Sequence, residues 1–216
     1  MSCLVTIWGL RLSFNFARKG GFSILPWKGE EDYRWSVLQK EVPALKTKLN
    51  WSLFNLLFIC FYQMGLIFLF SLPILAAWQG EKEFSDLDII IGAIMLLLII
   101  IQTIADEQQH KYQTKKYALI DGNHEISGYY KKGFIDTGLW KFSRHPNYTC
   151  EQLIWITFYF FSVSASGKLL NWSIIGCGLL VVLFYFSAKF SEGISAKKYP
   201  QYKDYQNNTP MFIGIK

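Results

Sequence analysis

The residues best suited to chemistry lie together in one short segment, 138–151, which reads GLWKFSRHPNYTCE. A guanidinium and an imidazole precede Pro146, and a carboxamide, a phenol and a carboxylate follow it within five residues. Guanidinium groups bind phosphates through paired hydrogen bonds. The segment therefore predicts a polar pocket for a phosphorylated or zwitterionic cofactor. Its candidate binding residues are Trp140, Arg144, His145, Asn147, Tyr148 and Glu151.

Pro146 suits the first turn of a helix, where its missing N–H group would have no partner in any case. Arg144 and His145 then lie beside a helix N-terminus, whose free N–H groups and positive dipole end favour an anion. Glu151 follows one turn later, at the start of an apolar helix, where a carboxylate is costly unless something binds it. We therefore expect Glu151 to face a ligand. The alternative is that the two basic side chains reach lipid headgroups while Glu151 only caps the helix.

The elements that position these residues are membrane helices. Of the 216 residues 51% are hydrophobic and only 18% are charged, which is typical of a membrane protein. A helix of roughly 20 apolar residues crosses a bilayer, and the sequence predicts an all-α, polytopic transmembrane helical bundle with about four full spans. Pro73 is expected to kink or end the first span. The four spans are Trp51–Trp78, Leu87–Ala105, Tyr148–Ala165 and Leu169–Ala188.

Residues 1–16 also resemble a membrane helix, but they are too short to cross a bilayer and include Arg11. We expect a partial or interfacial helix there. The sequence contains no internal repeat and no linker that would divide it. Residues 1–216 are therefore predicted to form a single membrane-embedded domain.

Basic residues alternate along the chain in the way that sets membrane orientation. The successive connections and the C-terminal tail carry seven, one, seven, one and five of them. This pattern places the large loops on the cytoplasmic side. We expect an integral membrane protein, in the endoplasmic reticulum of a eukaryote or the inner membrane of a bacterium. The net charge of +6 is then explained by orientation and contact with membrane lipids.

Other classes of protein have little support. The basic residues are spread over three segments without a nucleic-acid-binding motif, so no nucleic-acid partner is expected. Four cysteines occur without a CxxC pair, and three histidines occur without an HExxH motif. We expect neither a metal site nor a disulfide framework.

The string SRHPNYxxE, preceded by GLW, resembles the signature of the steroid 5-alpha-reductase-like superfamily, in particular its poorly characterised multi-span branch. Further similarities cover nearly the whole chain in order: Trp8-Gly9-Leu10-Arg11 with Arg18, Glu31-Asp32-Tyr33-Arg34, Asp106, and Glu192 with Tyr199-Pro200-Gln201-Tyr202 and Tyr205. The resemblance implies a polytopic enzyme that holds NADPH in a cytoplasm-facing cavity. Such an enzyme reduces an activated carbon–carbon double bond in a steroid or another lipid.

The resemblance also implies roles for single residues. Asn147 and Glu151 match the family residues that hold the nicotinamide or ribose end of the cofactor. Arg11 and Arg144 would clamp phosphates, and Asp106 would accept from ribose hydroxyls or hold a basic residue in place. Trp140 and Tyr148 would stack on the rings, although aromatic residues at a membrane interface also serve as anchors. The catalytic proton donor is unknown.

Two other functions stay open. RHPxY at a helix start also resembles isoprenylcysteine and phospholipid methyltransferases, which use S-adenosylmethionine. Those enzymes usually carry a small residue after the tyrosine, where this chain has Thr149-Cys150-Glu151. Relatives also have about two more helices ahead of Trp8, which in steroid reductases contact the substrate. A non-catalytic subunit with a membrane-protein partner is therefore the third hypothesis.

Overall fold

A computed structural model describes residues 1–22, 32–126 and 128–213. Helices form 77% of the structure and these ranges contain no β-strand, which confirms the all-α prediction. Glu31 of the family resemblance lies outside the described residues, as do Lys28 and Lys216, which are two of the basic residues counted for membrane orientation. The α-helices are α1 Ser2–Ala17, α2 Tyr33–Glu41, α3 Lys48–Phe54, α4 Gln63–Ser71, α5 Pro73–Trp78, α6 Asp86–Asp121, α7 Pro146–Ser166, α8 Ile174–Lys198 and α9 Tyr202–Asn208.

Within the described residues, three helical stretches are long and apolar enough to cross a membrane: Lys48–Trp78, Asp86–Asp121 and Ile174–Lys198. The first two contain the first and second predicted spans. The third overlaps the fourth predicted span, Leu169–Ala188, but it begins at Ile174 and ends at Lys198. Length and composition thus indicate a membrane protein. The third predicted span, Tyr148–Ala165, lies inside α7, a helix of 21 residues. Four spans and the sidedness of the loops stay predictions.

The helix that contains the second predicted span is longer than expected. The apolar pattern predicts an end at Ala105, but α6 continues to Asp121. Residues 106–121 contain no glycine or proline and several strong helix formers, so the helix persists after the apolar pattern has ended. It ends where Gly122 N–H donates to Ala118 O and Asn123 takes a positive φ of 51°. Asp106 therefore lies within the helix rather than after it.

The first spanning stretch is interrupted, as Pro73 predicted. Helix α4 ends at Ser71, and α5 begins with Pro73 at its first position. A π-helix, Asn55–Tyr62, precedes α4, and no sequence pattern predicts it. Along this stretch four rings stack in succession, with centroids 5.1 to 5.6 Å apart: Trp51, Phe54, Phe58 and Tyr62.

The chain forms two compact units. The first comprises Met1–Ser85 and Tyr159–Leu180, and the second comprises Asp86–Phe158 and Val181–Lys216. Helices α7 and α8 each contribute to both units, and the single domain over residues 1–216 stays a prediction. Seven of the eight candidate binding residues lie in the second unit, whereas Arg11 lies in the first.

In the first unit, a polar cluster closes the connection between α7 and α8. The Tyr159 hydroxyl donates to Leu169 O at 2.7 Å and accepts from the Asn171 N–H at 3.1 Å. Asn171 Nδ2 donates to the buried Ser162 Oγ at 3.0 Å, while its Oδ1 accepts from Ser173. The connection runs from Gly167 to Ser173, which is longer than the three residues, 166–168, that separate the third and fourth predicted spans.

In the second unit, aromatic clusters anchor the segments that flank α7. Tyr112, Ile135 and Trp140 form one buried cluster, and Phe134 with Tyr202 and Tyr205 forms another. A third buries Ala188 of α8 against Met211 and Phe212 near the end of the described chain. Burial of these large side chains supplies the hydrophobic free energy that fixes the loop before α7 and the C-terminal segment.

Candidate functional site

The start of α7 is held by the C-terminal segment. Arg144 N–H donates to Pro210 O at 2.9 Å and His145 N–H donates to Met211 O at 3.2 Å, just before Pro146 begins the helix. The Ser143 hydroxyl donates to Met211 O at 3.0 Å and accepts from the His145 N–H at 3.2 Å. These bonds satisfy backbone groups that a buried helix start would otherwise leave without partners.

A buried carboxylate on α8 binds both basic residues of the motif. Glu192 Oε1 lies 2.6 Å from Arg144 Nε and 2.9 Å from His145 Nε2, and its Oε2 lies 3.1 Å from Arg144 Nη2. Because an ionised carboxylate only accepts, Nε2 of His145 carries the proton in this contact. Gln206 Nε2 also donates to Glu192 Oε2, at 2.8 Å. All four donors converge on one acid that is only 3% exposed.

Arg144 also binds the C-terminal segment through its remaining nitrogen. Nη1 donates to Gln206 O at 2.8 Å and to Thr209 O. Together with Glu192, these partners occupy Nε, Nη1 and Nη2, in a side chain that is 6% exposed. Arg144 therefore connects the start of α7 with α8, through Glu192, and with the C-terminal end of α9, through Gln206 and Thr209.

A second polar network connects α6 with the first turns of α7. Gln102 Nε2 donates to Glu151 Oε2 at 2.6 Å and to Asn147 O at 3.2 Å. Asn147 Nδ2 lies 3.3 Å from Asp106 Oδ1. Glu151 Oε1 accepts from Trp155 Nε1 at 3.0 Å, one turn further along α7. The structure thus brings together three predicted site residues, Asp106, Asn147 and Glu151.

The predicted ring-binding residues have protein partners of their own. Trp140 is buried, and its indole N–H donates to Ala105 O on α6 at 3.1 Å. Tyr148 is partly buried; its ring stacks on His145 at 5.2 Å and meets Phe184 edge-on at 4.9 Å. The Tyr205 hydroxyl donates to Trp140 O, and burial raises the pKa of this phenol above its usual range. Arg11 is partly buried on α1 in the first unit.

Sequence reasoning did not include Gln102 or Glu192 among the site residues. Gln102 directly follows the unbroken apolar run 89–101. A polar side chain at that position, like Glu151 at the start of an apolar helix, indicates a binding partner. Glu192 was noted as part of the resemblance but was not given a role. Its partners lie 47 and 48 residues earlier in the chain, a pairing that spacing alone cannot reveal.

Comparison with known proteins identifies the group to which the chain is related. A family model described as "Protein of unknown function (DUF1295)" matches residues 1–209. The chain belongs to this family. An uncharacterized protein of Schizosaccharomyces pombe, C594.04c, is 34% identical over 221 residues, which covers 99% of this chain. The chain spans 62% of the length of that relative. No solved structure matches the chain.

Proposed function

We propose that the protein is a membrane oxidoreductase that uses NADPH to reduce an activated carbon–carbon double bond in a steroid or another lipid. One observation carries the proposal. The polar side chains of the SRHPNYxxE motif and of α6 meet at the start of α7, where the apolar part of α6 ends. The motif's resemblance to the steroid 5-alpha-reductase-like superfamily supplies the class of reaction.

The side chains present fit the polar parts of such a cofactor. Within the described residues, Gln102 Oε1, Gln109 Oε1 and Gln113 Oε1 are buried without a hydrogen-bond partner. Their spacing of seven and four residues places them along one face of α6. A buried acceptor without a donor costs about 1–3 kcal/mol. A carboxamide or a ribose hydroxyl would supply the missing donors.

In the proposal, each residue of the second network has a stated task. Glu151 and Asp106 would accept from the hydroxyl or amide N–H groups of the cofactor, and Asn147 would orient Asp106. Gln102 and Trp155 hold the two oxygens of Glu151 in fixed positions, so the carboxylate is preorganised. NADPH, when bound, would supply the hydride.

The first network has a different task in the proposal. Because Arg144 and His145 both bind Glu192, we assign them to positioning: they fix the start of α7, from which Asn147 and Glu151 extend. Four of its five N–H donors bind these acceptors, so Arg144 makes a paired two-bond contact with a phosphate only if it gives up one of them. Arg11 stays a proposed phosphate-binding residue, and Trp140 and Tyr148 stay proposed ring contacts.

Mass spectrometry of small molecules retained by the purified chain tests the function. The protein is extracted in a mild detergent, and the bound compounds are released by denaturation and identified. Retained NADPH or NADP⁺ supports the reductase. Retained S-adenosylmethionine or its demethylated product supports the methyltransferase, which shares RHPxY at a helix start. The absence of both cofactors, also after incubation with each, favours a non-catalytic subunit.

A further inference from the structure

A cavity in the second unit is separate from the two polar networks. It has a volume of about 280 Å³ and lies among the C-terminal ends of α6 and α8 and the loop around Gly133. Three lysines line it, and no aspartate or glutamate does so among the described residues. The lysines are Lys116, Lys131 and Lys198, and the tyrosines beside them are Tyr117, Tyr130 and Tyr199.

Lys116 is only 5% exposed, which is rare for a lysine. Its Nζ donates to Gly133 O at 3.2 Å and lies 4.8 Å from the ring centroid of Tyr117 and 5.9 Å from that of Tyr199. A carbonyl dipole and aromatic faces stabilise an ammonium group, but none of them carries a full negative charge. The buried charge of Lys116 is therefore incompletely compensated by these neighbours.

The other two lysines add positive charge to the same cavity. Lys198 and Lys131 are both exposed, and Lys198 Nζ lies 5.4 Å from the ring centroid of Tyr199. The three ammonium groups around this cavity repel one another. An anion with several oxygens would attract all three and so offset that repulsion. Ammonium groups bind phosphates as point charges, from several directions at once.

Gly133 packs closely against Tyr199 at the wall of the cavity. Gly133 has a φ of +81°, and a Cβ at this position would lie 2.1 Å from Tyr199 Cε1. Only glycine lets the loop carbonyl approach Lys116 while the tyrosine ring keeps its place. The contact between Gly133 and Tyr199 thus fixes one wall of the cavity.

We propose that this cavity is a ligand site for a phosphate group, which comes either from an anionic lipid headgroup or from a soluble phosphate compound. Lys116 binds the phosphate from the interior, Lys131 and Lys198 bind it from the exposed side, and the tyrosines form the walls. The proposal does not rest on the NADPH-dependent activity, because no residue of the cavity belongs to the Glu151 or Glu192 network.

Two experiments on the purified full-length chain distinguish the sources. In the first, the detergent-solubilised protein is titrated calorimetrically with sodium pyrophosphate. In the second, the protein is reconstituted in nanodiscs of phosphatidylcholine with a minor fraction of phosphatidic acid, and native mass spectrometry counts the phosphatidic acid that it retains. The cavity variants are Lys116→Gln and Lys198→Gln. The matched controls are Lys115→Gln and Lys203→Gln, which remove the same charge at exposed positions outside the cavity.

We expect each cavity variant to lower binding about fivefold to tenfold, since a lysine near a phosphate contributes about 1 kcal/mol, whereas the controls bind like the unmodified chain. A loss in the nanodisc experiment assigns the site to a lipid headgroup, and a loss in the pyrophosphate titration assigns it to a soluble phosphate. Equal binding by cavity variants and controls in both experiments overturns the proposal. Lys198 is exposed, so its variant decides the outcome if Lys116→Gln does not fold.

Discussion

Glu192 accepts hydrogen bonds from Nε and Nη2 of Arg144, at 2.6 and 3.1 Å, and both side chains are almost fully buried. The two residues are 48 positions apart in the chain. Arg144 also binds the carbonyls of Gln206 and Thr209, so a single side chain ties the start of α7 to α8 and to the C-terminal segment. The motif arginine is thus a structural connection within the second unit.

Replacing Glu192 with Gln is expected to lower the melting temperature of the detergent-solubilised protein. The change leaves Arg144 buried without its counter-ion, and removal of one partner from a buried pair costs about 3–5 kcal/mol. Asp204→Asn, at an exposed position on α9, removes the same charge and should leave the melting temperature unchanged. Equal melting temperatures for the two variants would refute the structural role of the pair.

The double variant Arg144→Met with Glu192→Met tests whether the pair acts as a unit. Its destabilisation should be smaller than the sum of the two single changes, because no unpaired charge stays buried. Additive effects in this double-mutant cycle would mean that the two side chains stabilise the fold independently.

Replacing Glu151 with Gln is expected to weaken NADPH binding more than it weakens folding. The carbonyl oxygen of Gln can still accept from Gln102 or from Trp155, so the change costs about 1 kcal/mol in stability. A cofactor held by the carboxylate loses a charge-assisted bond. Affinity and melting temperature are measured together, with Glu125→Gln at an exposed position as the control. Unchanged affinity with a clearly lower melting temperature would show that Glu151 is structural.

Replacing Gly133 with Ala is expected to destabilise the loop beside Tyr199. The positive φ and the approach of Cβ to the ring together cost about 1–3 kcal/mol. Gly193→Ala on α8 is the matched control, since a Cβ there meets nothing within 4 Å. In a helix, alanine is favoured over glycine by about 1 kcal/mol, so the control should melt at the same or a higher temperature. A loss of stability in Gly193→Ala alone would contradict the described backbone.

The four-span topology predicts opposite sides for two exposed positions. In a background without the native cysteines, Glu83→Cys should react with a membrane-impermeant maleimide only from the non-cytoplasmic side. Glu125→Cys, in the large loop, should react only from the cytoplasmic side. Labelling of Glu83→Cys from the cytoplasmic side would overturn the predicted orientation.

Local sequence signals predicted the helices well. Long uncharged runs placed Lys48–Trp78, α6 and α8, and Pro73 and Pro146 each begin a helix as their missing N–H groups require. The end of α6 was wrong, because hydropathy marks where apolar residues stop and not where a helix stops. Its true end depends on the two residues that follow Asp121: Gly122 N–H donates to Ala118 O, and Asn123 takes the left-handed backbone conformation.

The contacts of the candidate site were less accessible to sequence reasoning. The motif identified Asn147 and Glu151 because both lie on one local helix. The partners of the motif come from distant segments: Gln102 on α6 and Glu192 on α8. The sequence of one chain shows that a buried acid needs a partner. It does not show which donor lies beside that acid, because the tertiary fold decides which distant segments come together.

Calorimetric titration of the detergent-solubilised chain with NADPH, NADH and S-adenosylmethionine tests the central claim most directly. The reductase proposal predicts saturable binding of NADPH, tighter than that of NADH because a basic side chain would bind the additional phosphate. It also predicts no binding of S-adenosylmethionine. Tight S-adenosylmethionine binding without NADPH binding would contradict the proposal and favour the methyltransferase.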